Sequence, residues 1–589
     1  MKFATLFLFL LIFSFAFSQD GPSAKKLLSA TRTEEDIKID GILDESAWQT
    51  AQIAKDFVML QPGNGDKEPE DQRTEVKILY DDQGIYVGAY LYEARPENIL
   101  RQLSERDNLG NTDFFAVVIN PSNDGQNEFE FFVSAAGVQL DAQVSLANGE
   151  DFSWNEVWFS EAKINEDGWV VEMKIPFAAL RMPKQEEQIW GLNFHRRIES
   201  KREQYTWNFV DRTKGNMSQY AGILNGIKNI DPPIRLSFFP FTSFIASDFD
   251  GTTDINLAFG MDIKYGITDN FTLIATLIPD FSQAGFDNIA LNLGPFEQVF
   301  AEQRQFFIEG ADILNKGDLF FSRRIGNRPV GNDEIEEFVE ENPAYEILDN
   351  PTQVDVLNAV KVTGRTKKGL GIAVLNAVTE ETDAVIRDTL TGEKEKIVTE
   401  PLTNYNVFVI DQEFNKNSSV GLANTNVTRS GNFRDANVTS LFYNIANKGN
   451  TYVVYGDGSM SNVSEDGQTT TGYAGNIAYE KTEGKFRYEL RNRFMDANYD
   501  KNDLGFNRNN NFIDFLGEVS YRIFEPTKRF NNYRIRLFGG HFRRFDPNVT
   551  VSNYFELNAF FITVDQFAFG GEIGGNIGDR VDYFEPRTE

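Results

Sequence analysis

Over residues 255–279 apolar and polar side chains alternate through two arms joined at Gly266-Ile267-Thr268-Asp269-Asn270. Ile255, Leu257, Phe259, Met261, Ile263 and Tyr265 take turns with Asn256, Ala258, Gly260, Asp262 and Lys264, and Phe271, Leu273, Ala275 and Leu277 repeat the phase. Successive side chains of a strand point to opposite faces, so one face of this hairpin is apolar and the other small or polar. Roughly ten residues of strict alternation match a tilted strand crossing an apolar band ~25 Å tall.

The pattern recurs toward the C-terminus. Phe486, Tyr488, Leu490 and Phe494 alternate with Arg487, Glu489, Arg491 and Arg493, and Ile513, Phe515, Val519, Tyr521 and Ile523 with Asp514, Glu518 and Arg522. Phe555, Leu557, Ala559 and Phe561 alternate with Glu556 and Asn558. Charges at every second position cannot fill a dry core, because each would cost several kcal/mol, but they can face a wet or plugged lumen. The connections also alternate. Short ones lie near Thr268, Lys367, Lys416, Lys448, Glu483 and Asp565. Longer ones cover 281–351, 380–404, 429–437, 462–470, 497–510 and 544–552, with one medium turn at 525–532. Short periplasmic turns opposite longer outer loops are the habit of bacterial barrels. The prediction is an all-β chain: an N-terminal β-sandwich, then an antiparallel transmembrane β-barrel over 229–589, with its first strand starting on the short-turn, periplasmic side. Roughly fifteen strands are expected, whereas single-chain bacterial barrels normally use an even number, so the chain is expected to be truncated at its C-terminus.

Ahead of the barrel, strands are predicted at 76–80, 85–90, 114–119, 128–133 and 169–175, with a hairpin turn at 81–84. These make a sandwich over 35–228, closed by Asp231-Pro232-Pro233 as a stiff linker. Met1-Lys2, an apolar run to Phe17 and Ala16-Phe17-Ser18 read as a secretory signal peptide over 1–18, followed by a polar linker over 19–34. The 281–351 link is too long and too apolar for a plain loop. Its paired charges Arg304, Glu309, Arg323 and Arg324 suit either a plug that meets acidic wall residues or a cap outside the mouth.

Composition narrows the chemistry. The 589 residues hold no cysteine and two histidines, His195 and His541, so thiolate and His-rich chemistry is excluded. A net charge of -31 argues against nucleic acid as a partner. Arg196-Arg197 and Lys201-Arg202 form a local basic patch, expected at the surface. Asn120, Asp124 and Glu128 in a Gly/Asn turn offer oxygen ligands for Ca²⁺, although a plain turn explains them too. No nucleophile elbow, zinc-protease or phosphate-loop motif is present, and acidic pairs are expected by chance among 88 acidic residues.

Four stretches carry a resemblance: Ile39-Asp40-Gly41 with Trp48; Arg106-Asp107 with Asp113-Phe114-Phe115; Trp154-Asn155-Glu156-Val157-Trp158; and Gly168-Trp169-Val170-Val171-Glu172 with Ile175-Pro176-Phe177. Together they resemble the family-9 carbohydrate-binding modules. That resemblance implies a sandwich gripping a sugar end between aromatics and polar groups, with bound calcium in some members. Trp154, Trp158, Arg106, Asp107 and Asp141 are the binding candidates, Trp154 being the one expected to be exposed. Pro279-Asp280-Phe281, Phe306-Phe307-Ile308-Glu309-Gly310 and Ser322-Arg323-Arg324-Ile325-Gly326 resemble the outer-membrane barrel of Bacteroidetes classed as a domain of unknown function, number 5916. The resemblance implies an outer-membrane protein with a periplasmic saccharide-binding domain, acting non-catalytically in uptake linked to carbohydrate catabolism. The alternatives are an assembly partner of other envelope proteins, or a glycoside hydrolase by association with the module.

Overall fold

The computed structural model describes residues 25–584, apart from 126, 146–148, 153, 183–184, 214–217, 231–234, 250–251, 269, 278–296, 301, 303, 309, 367 and 416. The chain is nearly all β. The expected signal peptide lies outside the described residues.

Residues 27–228 form the sandwich. One sheet runs Leu27–Ser29, Gly222–Lys228, Glu187–Ile198, Phe114–Asn120, Asn127–Ser134, Gln139–Ser145, Gly149–Asp151. The other runs Phe159–Asn165, Gly168–Pro176, Gly84–Tyr92, Thr74–Tyr80, Thr31–Arg32. Alternation sets which side chains meet between them: Trp169, Val171, Met173 and Ile175 from one sheet pack against Phe115, Val117, Phe131 and Phe194 from the other. The smaller sheet is covered on its second face as well, where Ile37 and Trp48 pack on Leu79 and Tyr86. The motifs at the two ends of the module are one device. Glu172 turns away from the core, and its Oε2 accepts the backbone N–H groups of Asp40 and Gly41 at 3.0 and 2.9 Å. Gly41 sits at φ 76°, a conformation that favours glycine.

Arg196 departs from the surface patch predicted for it. It is buried, and its guanidinium donates to the carbonyls of Gln72, Arg73 and Tyr92 and to Thr74 Oγ1, pinning the two sheets together. Four fixed acceptors replace the water a surface arginine would use.

Fifteen antiparallel strands follow in one sheet, in sequence order except for one hairpin that stands outside it: Leu236–Phe249, Thr252–Thr268, Phe271–Leu277, Val356–Arg365, Leu370–Thr379, Thr403–Phe414, Ser418–Arg429, Asp435–Ala446, Tyr452–Glu465, Gln468–Lys481, Phe486–Met495, Phe512–Arg522, Phe530–Arg544, Thr550–Thr563 and Ala568–Asn576. Among the described residues the first and last of these pair on one side only. The outward face exposes Phe238, Phe244, Leu257, Phe259, Leu441 and Leu490. At its short-turn end an aromatic belt runs from strand to strand: Tyr452 stacks on Tyr479 at 6.0 Å, Tyr521 on Tyr533 at 6.1 Å, Tyr533 on Phe561 at 5.7 Å and Phe561 on Phe569 at 5.1 Å. An apolar band with an aromatic border is what a lipid-facing barrel wall requires.

The loop alternation breaks at 462–470. Asp466-Gly467, at φ 51° and 73°, makes a two-residue hairpin between strands that run to Glu465 and from Gln468. These strands continue past the apolar band, and their outward residues there are polar. Asn376, Asn406, Asn426, Asn437 and Asn462 form one cross-strand row, with Asn376 donating to Asn406 at 3.0 Å. The 380–404 link is not a loose loop either. It folds into the hairpin Thr382–Asp388 and Lys394–Glu400, joined by Tyr345–Asp349 and packed on the helix Asn332–Glu341.

Candidate functional site

Four of the five predicted binding residues converge in the sandwich. Arg106 reaches across three segments, donating to Gln139 Oε1 at 2.7 Å, Asn155 Oδ1 at 3.0 Å, the Glu156 carbonyl at 3.3 Å, and Asp141 Oδ1. Asp141 also accepts the Glu156 N–H at 2.7 Å and the Trp158 indole N–H at 3.4 Å, while its own N–H donates to Asp107 at 3.2 Å. Burial pushes the Asp141 and Asp107 carboxyls up, against the pull of Arg106. Beside this cluster lies an open cavity of about 550 Å³, lined by Ile39, Arg106, Gln139, Trp158, Phe159 and Ser160.

Trp154 is not part of the cavity wall. It was expected to be exposed, yet it is 2% exposed, packed in the core against Phe129 at 5.0 Å and Phe131 at 5.9 Å. The polar neighbour Asn155 suggested exposure, but the indole lies inward against Phe129 and Phe131, where burying its large apolar area outweighs local polarity. The aromatic face open to the cavity belongs to Phe159, 53% exposed, which the sequence reading did not single out. Its signal was the phase of the edge strand Phe159–Asn165, in which Phe159 and Glu161 are both exposed.

The Asn120, Asp124 and Glu128 trio does not fit Ca²⁺. Asn120 Nδ2 donates to Asp124 Oδ1 at 2.9 Å, so an amide N–H occupies the position a cation would need. Glu128 is buried and pushed up to about 7 by that burial. Among the described residues no group of three or more His, Asp or Glu is placed to hold a metal.

The sandwich meets the wall at its short-turn rim. Glu156, in the loop that Arg106 holds, pairs with Lys264 at 2.7 Å, and Lys264 faces the side of the sheet opposite Phe259 and Tyr265. The Gly484 N–H donates to the Thr213 carbonyl at 3.1 Å, and Gln566 Nε2 to the Lys201 carbonyl at 3.5 Å. One compact domain thus touches the second strand of the sheet and two turns near its far end, so it spans the rim.

The described residues between 302 and 325 lie on the inward face of the wall. Phe306, Phe307, Ile313 and Leu314 pack on Ala359, Ala373, Leu375, Val407 and Val409. Of the arginines expected to meet acidic wall residues, Arg304 and Arg323 bind within their own segment, and Arg324 also donates to the Gly505 carbonyl at 3.1 Å, in the link after the strand Phe486–Met495. Arg304 donates to Glu302 and to the carbonyls of Ser322 and Ile325, Arg324 pairs with Glu297 at 2.8 Å, and Arg323 lies 3.8 Å from Glu302. The cation that does meet the wall is Lys316, 2.7 Å from Asp411 and 3.4 Å from Glu413, with Arg365 on the same two carboxylates. Glu309 lies outside the described residues.

The profile described as carbohydrate family 9 binding domain-like matches residues 39–216, and that described as Domain of unknown function (DUF5916) matches 232–589. Among solved structures, a family-9 carbohydrate-binding module from Caldicellulosiruptor kristjanssonii in complex with cellotriose is 16% identical, matched over 100% of its length and 35% of this chain, at a TM-score of 0.26. A putative carbohydrate-binding protein from Bacteroides uniformis is 14% identical over 99% of its length and 34% of this chain, at 0.28. OpdL of Pseudomonas aeruginosa is 8% identical over 93% of its length and 79% of this chain, at 0.26. No curated protein matches the chain. Likenesses at these scores carry no inference of their own.

Proposed function

This chain belongs to the family described as Domain of unknown function (DUF5916), with a carbohydrate family 9 binding domain-like module in front, and from that premise we propose that it is an outer-membrane barrel whose periplasmic sandwich captures an oligosaccharide at the barrel mouth. The observation that carries this reading is the contact between Glu156 and Lys264. The loop that builds the candidate sugar site is tied directly to an inward-facing wall residue. A ligand held at Arg106, Gln139 and Phe159 is one side chain from the lumen. Sugar C–H faces pack on the Phe159 ring, and hydroxyls bond the cavity-lining polar groups of Gln139, Ser160 and Arg106. Residues 302–325 act as a plug in the lumen, which makes passage conditional rather than open.

The experiment is a titration of the full chain with cellotriose, read by tryptophan fluorescence. All six tryptophans (48, 154, 158, 169, 190 and 207) lie in the sandwich. Saturable quenching that Arg106→Ala abolishes is the expected result, and a flat titration across neutral oligosaccharides ends the proposal. A second reading has its own support: Leu103 and Val157, 77% and 73% exposed, flank the same loops and suit a protein partner. A stoichiometric protein that co-purifies with the wild type and is lost on Val157→Asp would favour that reading.

A further inference from the structure

Among the described residues, the wall is covered on its inward side over only part of its width. The segment's apolar contact runs from Ile274 on the strand Phe271–Leu277 to Ala474 on Gln468–Lys481, and at the rim on to Met495, Tyr499 and Leu504. Beyond that, on strands from Phe486–Met495 to Ala568–Asn576, the inward residues include Arg491, Arg493, Asp514, Glu518, Arg536 and Glu556. In this uncovered sector a cavity of about 640 Å³ opens, lined by Arg493, Asp514, Phe538, Phe542, Tyr554 and Glu556.

We propose that this cavity is a second saccharide subsite, inside the barrel, that takes the end of a neutral oligosaccharide. The proposal rests on the uptake reading above and extends it by naming where the ligand goes next. Four observations carry it. The volume is that of a small-molecule site. Its ionic lining is balanced, with three arginines (Arg493, Arg508, Arg580) against three carboxylates (Asp514, Glu556, Asp582), so it offers no net charge to select an anion. Aromatic rings stand side by side within it: Phe538 is 6.2 Å from Tyr554 and Phe542 is 5.7 Å from Phe584, a surface suited to sugar C–H faces. Finally, Asp514 has a side chain only 2% exposed. Its Oδ2 takes Arg493 at 2.7 Å, while its Oδ1 is buried with no hydrogen-bond partner among the described residues. A buried carboxylate oxygen left unpaired is costly, and a ligand hydroxyl is the donor it lacks. A guanidinium, a carboxylate acceptor and aromatic faces in one neutral cavity are the combination that polyhydroxyl ligands require.

The test is calorimetric titration of the full chain in detergent with cellotriose, run beside tryptophan quenching. Because every tryptophan is in the sandwich, quenching reads that site alone and calorimetry reads both. The wild type should show two sites. Asp514→Asn, nearly isosteric, should weaken one of them by about tenfold or more, the loss expected when a hydrogen bond to a charged group goes, and leave quenching unchanged. Tyr554→Phe, which keeps the packing, should weaken the same site by about fivefold. Arg106→Ala should remove the other site together with the quenching. A single isotherm abolished by Arg106→Ala overturns the lumen site and leaves the capture reading standing. Calorimetric binding that persists without quenching does the reverse. Tighter lumen binding of a uronic-acid trimer than of cellotriose overturns the assignment to neutral sugars.

Discussion

The two sectors of the barrel wall share a backbone and an outward face but differ inward. From Val356–Arg365 to Gln468–Lys481 the inward positions are mostly small or apolar, such as Ala359, Ala373, Leu375, Ala377, Val407, Val409 and Ala423, and they are buried together with a few charged residues, Lys361 and Asp411 among them. From Phe486–Met495 onward they are arginines, glutamates and aromatics that stay half-exposed. The first sector is a strand surface whose inward face is covered by residues of the 302–325 segment. Among the described residues the second has no such apolar cover on its inward face. The inward residue type therefore records what covers the wall at each point: a buried charge in the first sector is paired, as Asp411 is by Lys316 and Arg365, whereas in the second most charged side chains stand half-exposed.

Removal of residues 297–341 is the most direct way to break this difference. Ion conductance of the reconstituted protein should rise several-fold, and an unchanged value would refute the plug. Asp411→Ala comes next. Its side chain is fully buried between Lys316 and Arg365, so its loss leaves two cations together and should cost about 3–5 kcal/mol in denaturant unfolding. In the other sector Arg491→Ala, which breaks a part-exposed pair with Glu489, should cost about 1 kcal/mol or less while altering ion selectivity. Leu375→Ala and Leu516→Ala sharpen the contrast without charge. The first should cost about 2–5 kcal/mol and the second, half-exposed, about 1 kcal/mol. Equal losses at the two positions would mean that both sectors are filled.

The smallest effect concerns pH and belongs to the sandwich. Burial raises Glu172 to about 7 and Asp113 to about 6, above the values of the unfolded chain. Between those limits the folded state holds the extra protons, so their contribution to stability is full below about pH 4.5 and is lost as pH rises through 7. The urea midpoint followed by tryptophan fluorescence should fall from pH 5 to pH 8, and Glu172→Gln should flatten that slope. A midpoint that rises with pH would contradict the burial of these carboxyls.

Much of this was written in local pattern. Period-two alternation fixed the wall strands and their outward faces, because one register slip would turn every charge toward lipid. The motifs Ile39-Asp40-Gly41 and Gly168-Trp169-Val170-Val171-Glu172 marked the sandwich, and the structure shows them bonded to each other through Glu172. Arg106, Asp107, Asp141 and Trp158 were recognisable as polar and aromatic residues worth bringing together. What alternation could not supply was the third dimension. Asn462 read as loop because its outward side chain is polar, yet the strands continue past the apolar band. Trp154 and Phe159 look alike in sequence, and only the packing of the two sheets decides that one is core and the other lines the cavity. The partner of a buried charge is likewise decided by packing. Arg304 and Arg323 find acceptors within their own segment, Arg324 reaches both Glu297 and the Gly505 carbonyl, and Lys316, a residue with no signal in the sequence, meets Asp411, because which groups meet is set by how this segment packs on the wall.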